Sequence, residues 1–220
     1  MVSTLYLDIE TIPDQRPGAL EAIRETITPP ATYKKPESIA AWMDKNADAE
    51  AETKWRKTAL DGSRGEICVI GYAINDGPPN AIHGDSEQHI LETFARHLAE
   101  KGVDPYPIIV GHNVIDFDLR FLWQRSVING IRPYLDMRIG TRYPVDVFDT
   151  MKSWCGFGNR ISLDNLCAAL GVESPKGEIT GATVWDHVNA GNIEGVAEYC
   201  CHDIIATREC HQKMSFKGAA

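Results

Sequence analysis

Val2-Ser3-Thr4-Leu5-Tyr6-Leu7-Asp8-Ile9-Glu10-Thr11 opens the 220-residue chain, and its reading decides the fold. Apolar side chains run almost without a break over 2–9, the pattern of a strand covered on both faces. Strand periodicity sends Asp8 and Glu10 to one face and turns Ile9 into the core on the other. Two carboxylates side by side on a sheet repel, and burying them unpaired is costly. A cation between them resolves the conflict. A polar strand end with two solvated acids would show the same letters, so the pair gains weight only if acids elsewhere in the chain can join it.

Outward from this strand, residues 67–74 form a second apolar run. It meets the turn Asn75-Asp76-Gly77-Pro78-Pro79, and a short run at 81–83 completes a hairpin. Asp85 with Gln88 resembles a capping box, opening a helix with Ile90, Leu91, Phe94 and Leu98 on one face. Residues 108–110 read as a strand, 117–127 as a helix with Phe121 and Leu122 inward, and 145–148 as another strand. Three helices close the chain: about 163–170 behind Ser162, 184–190 behind Thr183, and 193–213 behind Asn192. This order predicts an α/β protein, a mixed central sheet flanked by helices, in one domain spanning 1–220. Residues 13–64 depart from it. They are polar and punctuated by proline, with helix-like stretches near 38–45 and 48–59, and read as an inserted flap or subdomain pinned by Trp42 and Trp55.

Composition narrows the class. With 43% hydrophobic and 24% charged residues the chain is globular rather than disordered. No apolar run approaches the ~20 residues of a membrane span, and the start lacks a basic n-region, so a cytoplasmic protein without membrane contact is expected. Six cysteines without a C-x-x-C pair imply reduced thiols. Cys200, Cys201, His202, Cys210 and His211 cluster in sequence, but a helix would scatter them around its circumference, against structural zinc. The net charge of −9 argues against coating nucleic acid by bulk electrostatics, though not against meeting phosphate through metal ions. Charge is uneven, since residues 120–160 hold seven basic side chains (120, 125, 132, 138, 142, 152 and 160) against three acidic ones. That run is a candidate phosphate-contacting face, or an ordinary solvated one.

Two further acid motifs lie beyond Asp8 and Glu10. Gly111-His112-Asn113-Val114-Ile115-Asp116-Phe117-Asp118 comes after a strand and delivers Asp118 to a helix start, at the strand end where α/β sites sit. One of Asp116 and Asp118 can be a plain helix-start acid. On the last helix Tyr199 and Asp203 stand i, i+4 and share a face. Converging at one end of the sheet, Asp8, Glu10, Asp118 and Asp203 would offer hard oxygen ligands, which suit Mg²⁺ or Mn²⁺ rather than zinc or copper. Two such ions can clamp the attacking and leaving oxygens of a phosphodiester displacement.

These three blocks, in this order, resemble the DEDD 3′→5′ exonucleases of RNase H-like fold, in the subgroup with tyrosine in the last motif. The likeness is greatest to the proofreading domain of family-B DNA polymerases and its stand-alone relatives, and it extends to 162–171 and 185–203. Glu198 stands where the histidine subgroup has its histidine. The resemblance implies that Asp8 bridges two metal ions, Mg²⁺ or Mn²⁺. Glu10 and Asp203 would complete the site of the ion that activates water, and Asp118 would hold the second through water. Tyr199 would hydrogen-bond the attacking water, and Thr11, Ile12, Asn113 and Phe117 would lie near the 3′-terminal nucleotide. The expected substrate is single-stranded DNA, with RNA as the alternative. A proofreading role implies a separate polymerase or repair partner, because the chain ends soon after Asp203. A haloacid-dehalogenase phosphatase, which also opens on an aspartate strand end, would need Asp in place of Glu10 and leaves Tyr199 and Asp203 idle. A non-catalytic nucleic-acid-binding or polymerase-accessory module is the non-enzyme reading.

Overall fold

The computed structural model describes residues 2–137, 146–156, 158–175 and 177–216. Five strands form one sheet: β1 (Thr4–Ile12), β2 (Glu66–Ile74), β3 (Asn80–Ile82), β4 (Ile108–Gly111) and β5 (Val147–Asp149). Their order is β3-β2-β1-β4-β5. The β2 strand runs antiparallel to both β1 and β3, whereas β1, β4 and β5 are parallel. As the unbroken apolar pattern requires, β1 is central and covered on both sides. Leu5, Leu7 and Ile9 face α3 (Glu87–Glu100) and α4 (Asp118–Ile128) through Ile90, Leu91, Phe94, Leu98, Phe121 and Leu122. On the other face Tyr6 joins Ala73, Val110 and Ile204, the last from α8 (Ile193–Met214).

Several local expectations shift. The cap of α3 is Ser86 rather than Asp85: the Ser86 side chain accepts from His89 N. Glu87 is thereby placed inward, where its carboxylate receives Arg125 in a bidentate pair, Ile67 N and Asn129 Nδ2. Ser162 and Asn192 cap α6 (Leu163–Leu170) and α8 as their sequence positions suggest. Thr183 makes no side-chain cap bond to α7 (Val184–Asn189). The expected strand at 145–148 begins at Val147, and residue 145 lies outside the described residues. A short helix, α5 (Thr150–Cys155), went unforeseen; Asp149 caps it.

Between β1 and β2 lie α1 (Ala19–Glu25), α2 (Pro36–Arg56) and a 3₁₀ turn (Lys57–Leu60). The two helical stretches expected at 38–45 and 48–59 are one helix through residue 56. Asn46 does not break it, because its side-chain amide donates back to Trp42 O. Ala47 and Ala51 pack against Ile23 and Ile27 in a small core of the segment's own. Trp42 belongs to that core rather than to the core of the sheet. Trp55 does the pinning: its Nε1 donates to Asp14 O, and its ring meets Trp185 edge-on at 5.2 Å between centroids. Asp14 completes the clasp, accepting from Arg16 and Arg64 through its carboxylate while its own N–H donates to Thr58 Oγ1.

Candidate active site

The site grows from the end of β1. Asp8 and Glu10 project toward α8, and Glu10 is 6% exposed. Cys200 of α8 lies over them, its Sγ 3.3 Å from Asp8 Oδ2. One donor atom each from Asp8, Glu10 and Cys200 lie within 4.8 Å of one another. Close approach of α8 needs Gly71, which pairs with Asp8 across the ladder: a Cβ there would fall 2.5 Å from Cys200 Sγ.

Asp118 arrives from the other strand. The parallel β1–β4 pairing ends at Tyr6 and Val110, leaving the N–H of Ile9 without a partner on β4. Asp118 Oδ1 accepts it at 3.0 Å, so the carboxylate is fixed at the point where the strands part. Tyr199 and Asp203 stand one turn apart on α8 and are hydrogen-bonded, the phenol donating to the carboxylate.

The four acids sense each other. Burial raises the Asp8 carboxyl well above its ordinary range, and Asp118, Glu10 and Asp203 push it further. Glu10 is raised by burial and then by Asp203 and Asp118. Burial takes Asp118 up to about 7, and Asp203 likewise to about 7 although the Tyr199 hydroxyl favours its ionised form. Four carboxyls so placed cannot all ionise cheaply unless positive charge joins them. Cys200 does not change the donor type. Burial and Asp8 push its thiol well up, so it stands as an S–H facing a carboxylate. What is left for a cation is carboxylate oxygen, the preference of Mg²⁺ and Mn²⁺.

Around this cluster the expected substrate contacts differ among themselves. Asn113 sits in the left-handed region (φ 63°), and its buried Oδ1 has no hydrogen-bond partner among the described residues, an acceptor awaiting a donor. Thr11 Oγ1 is engaged with Ala59 O at 2.7 Å, joining β1 to the 3₁₀ turn. Ile12 packs into the core beside Val69, and the Phe117 ring meets Phe121 at a tilt, 5.4 Å between centroids. Asp116 is exposed and paired with Lys152. Sequence reasoning missed Asp149. Its buried carboxylate accepts from Asn113 N at 3.1 Å and Ile115 N at 3.2 Å, and thereby shapes the turn that presents Asn113 and Asp118. The signal available was an acid at the end of an apolar strand, as with Asp8. His112 is structural: Nε2 donates to Ile161 O, Nδ1 lies 2.9 Å from Thr150 Oγ1, and burial lowers its pKa. The sequence cluster of cysteines and histidines disperses as a helix dictates, with Cys210 facing Cys167 and His211 bonded to Tyr6. Of the basic run, Arg125 is buried with Glu87 and Lys152 holds Asp116, so neither offers a phosphate contact. Arg120, Arg132 and Arg160 are exposed, and residues 138 and 142 lie outside the described residues. A cavity of about 260 Å³ opens over Tyr199 and Asp203, walled by Ser162, Asp164, Thr180 and Gly181.

Residues 80–217 match a family described as "Predicted 3'-5' exonuclease related to the exonuclease domain of PolB". The matched stretch contains Asp118, Tyr199 and Asp203, while Asp8 and Glu10 precede it. No curated protein matches the chain. Among solved structures, the family B DNA polymerase from the hyperthermophilic archaeon Pyrobaculum calidifontis is similar, with a TM-score of 0.62 and 17% sequence identity. The alignment covers 98% of this chain and 25% of that one, so the chain spans about a quarter of that polymerase. The likeness carries the fold: the mixed five-stranded sheet flanked by helices is RNase H-like.

Proposed function

The chain belongs to the family of predicted 3′-5′ exonucleases related to the exonuclease domain of PolB, and from that premise we propose that it hydrolyses single-stranded DNA from the 3′ end, releasing 5′-mononucleotides. The observation that carries this reading is a set of mutually repelling carboxyls, Glu10 and Asp118 buried and Asp8 and Asp203 half-buried, each held above its ordinary range. These four would hold two divalent cations, Mg²⁺ or Mn²⁺. Bound there, such ions supply Lewis-acid stabilisation of the phosphoryl oxygens.

The remaining steps fall to the chain's own groups. Burial and then Asp203 raise the Tyr199 phenol, so it stays protonated; with its O–H given to Asp203, its oxygen is left to accept from the attacking water and so orient it. The water oxygen bonds to phosphorus as its proton passes to solvent, the bond to the upstream 3′ oxygen breaks, and that oxygen takes a proton from solvent as it leaves. The unpartnered Oδ1 of Asn113 accepts from the terminal 3′-hydroxyl, which ties recognition to a free end. Phe117, beside it at the start of α4, offers the sugar and base an apolar edge.

A panel of end-labelled DNA and RNA oligonucleotides of matched sequence tests this, with Mg²⁺ or Mn²⁺ and with EDTA. Stepwise shortening from the 3′ end of single-stranded DNA, stopped by EDTA, is expected. Asp8→Ala is expected to abolish it, and near-full turnover by that variant would overturn the assignment. Equal attack on a 3′-phosphate terminus would refute the role given to Asn113. Binding without degradation under every condition would instead favour an accessory module.

A further inference from the structure

Residues 13–64 enclose, together with α7, a slot of about 420 Å³ that no catalytic group uses. Thr11 and Pro13 form its floor, directly after Glu10 on β1. Ala59 and Leu60 of the 3₁₀ turn line it, as do Ala182 and Trp185. Gly181 lines both this slot and the cavity over Tyr199 and Asp203, so the two lie side by side.

From its place and lining we infer that the slot receives an unpaired nucleobase of the substrate strand, close to the scissile bond; this rests on the nuclease reading above. The lining is mostly apolar, and the hydroxyl on its floor, that of Thr11, is already bonded to Ala59 O. Such walls suit a flat heteroaromatic ring held by stacking and apolar contact rather than by hydrogen bonds. Leu60 is 71% exposed at the rim, a large apolar side chain held in water. Lys57, also at the rim and exposed, supplies positive charge for a flanking phosphate. The volume lies within the ~300–1,000 Å³ of small-ligand sites. A base can enter only after leaving its partner strand.

The slot is preformed. The Arg56 guanidinium of its lining donates to the Asp186 carboxylate at 2.8 Å, Trp55 meets Trp185 edge-on, and Thr11 ties the floor to the turn. The inserted segment thus selects single strands, and selects them by base contact without reading sequence.

The test walks one abasic residue through the last three positions of a short single-stranded oligonucleotide. Binding is followed by fluorescence anisotropy in Ca²⁺, alongside turnover in Mg²⁺. Wild-type protein should bind one of the three abasic oligonucleotides on the order of tenfold more weakly than the intact one. Trp185→Ala and Leu60→Ser should each weaken binding of the intact oligonucleotide by a similar factor and lose that position-specific sensitivity. Leu60 is exposed, so its variant keeps the test open should Trp185→Ala fail to fold. Equal wild-type binding of all the oligonucleotides, no binding at all, or variants that weaken intact and abasic forms alike, would overturn the slot. Base-sensitive binding without turnover would leave the slot standing and remove the nuclease.

Discussion

Replacing Asp118 by asparagine, with divalent ions withheld, isolates the electrostatic cost of the acid cluster. Asp118 is 2% exposed, and burial lifts its carboxyl from 3.8 to about 7. Below about pH 4 the carboxyl is protonated in folded and unfolded chain alike, and nothing is lost. Above that the unfolded chain ionises first, so stability falls until the folded carboxyl ionises near 7 and then stays at the lower level. At about 1.4 kcal/mol per tenfold change in proton affinity, the loss above neutral pH is on the order of 4 kcal/mol. Asparagine is nearly the same size, has no proton to lose, and keeps an oxygen for the Ile9 N–H, which Asp118 now accepts at 3.0 Å. Thermal unfolding in EDTA, followed by circular dichroism, should show the variant more stable than wild type at about pH 8. At ~2–4 °C per kcal/mol for a chain of this size, the gain is roughly 8–16 °C. The advantage should shrink toward about pH 4, and Mg²⁺ or Mn²⁺ should raise wild type more than the variant. A difference that does not change with pH, or a variant less stable at the alkaline end, would refute the electrostatic account of the site.

Tyr199→Phe removes the O–H that meets Asp203 and is expected to lower kcat roughly 10- to 100-fold, the scale of one hydrogen bond to a charged group; steady-state kinetics that moved KM alone would count against it. Arg125→Met leaves Glu87 buried without its partner, which should cost about 3–5 kcal/mol in urea denaturation, much of it recovered by adding Glu87→Gln. The hydrogen-bonded Arg16 guanidinium, with help from Arg64, holds the Asp14 carboxyl down at about 2, so its contribution is present above the ordinary value near 4 and lost as pH falls toward 2. Asp14→Ala should therefore loosen residues 13–64 at neutral pH, seen as protease nicking confined to that segment while amide protection of β1 and β2 persists.

What could be read from the sequence was whatever local periodicity controls. The alternation that sets Asp8 and Glu10 together, and the turn of helix joining Tyr199 to Asp203, involve neighbours a few residues apart. The continuous apolar run of β1 foretold a central strand. Features set by distant partners stayed hidden. Asp149 acts on Asn113 and Ile115 across more than thirty residues, and its place at the end of an apolar strand does not name those partners. The burial of Arg125 depends on Glu87, and that depends on Ser86 rather than Asp85 taking the cap. Trp42 and Trp55 look alike in sequence, yet only Trp55 is placed by its helix to reach Asp14 and Trp185. The Cys200 thiol against Asp8 was equally illegible, since it arises from how closely α8 lies on the sheet.

That closeness has a consequence for how mutations in this chain are interpreted. Gly71 has no side chain to offer an ion or a nucleotide, yet alanine there would collide with Cys200 Sγ, which must either swing away from Asp8 or carry α8 off β1. Tyr199 and Asp203 ride on α8, so the damage would be felt as lost chemistry in a protein with every acid intact. A map of intolerant positions would score residue 71 beside the acids, and only a comparison of helix spacing would separate the two causes.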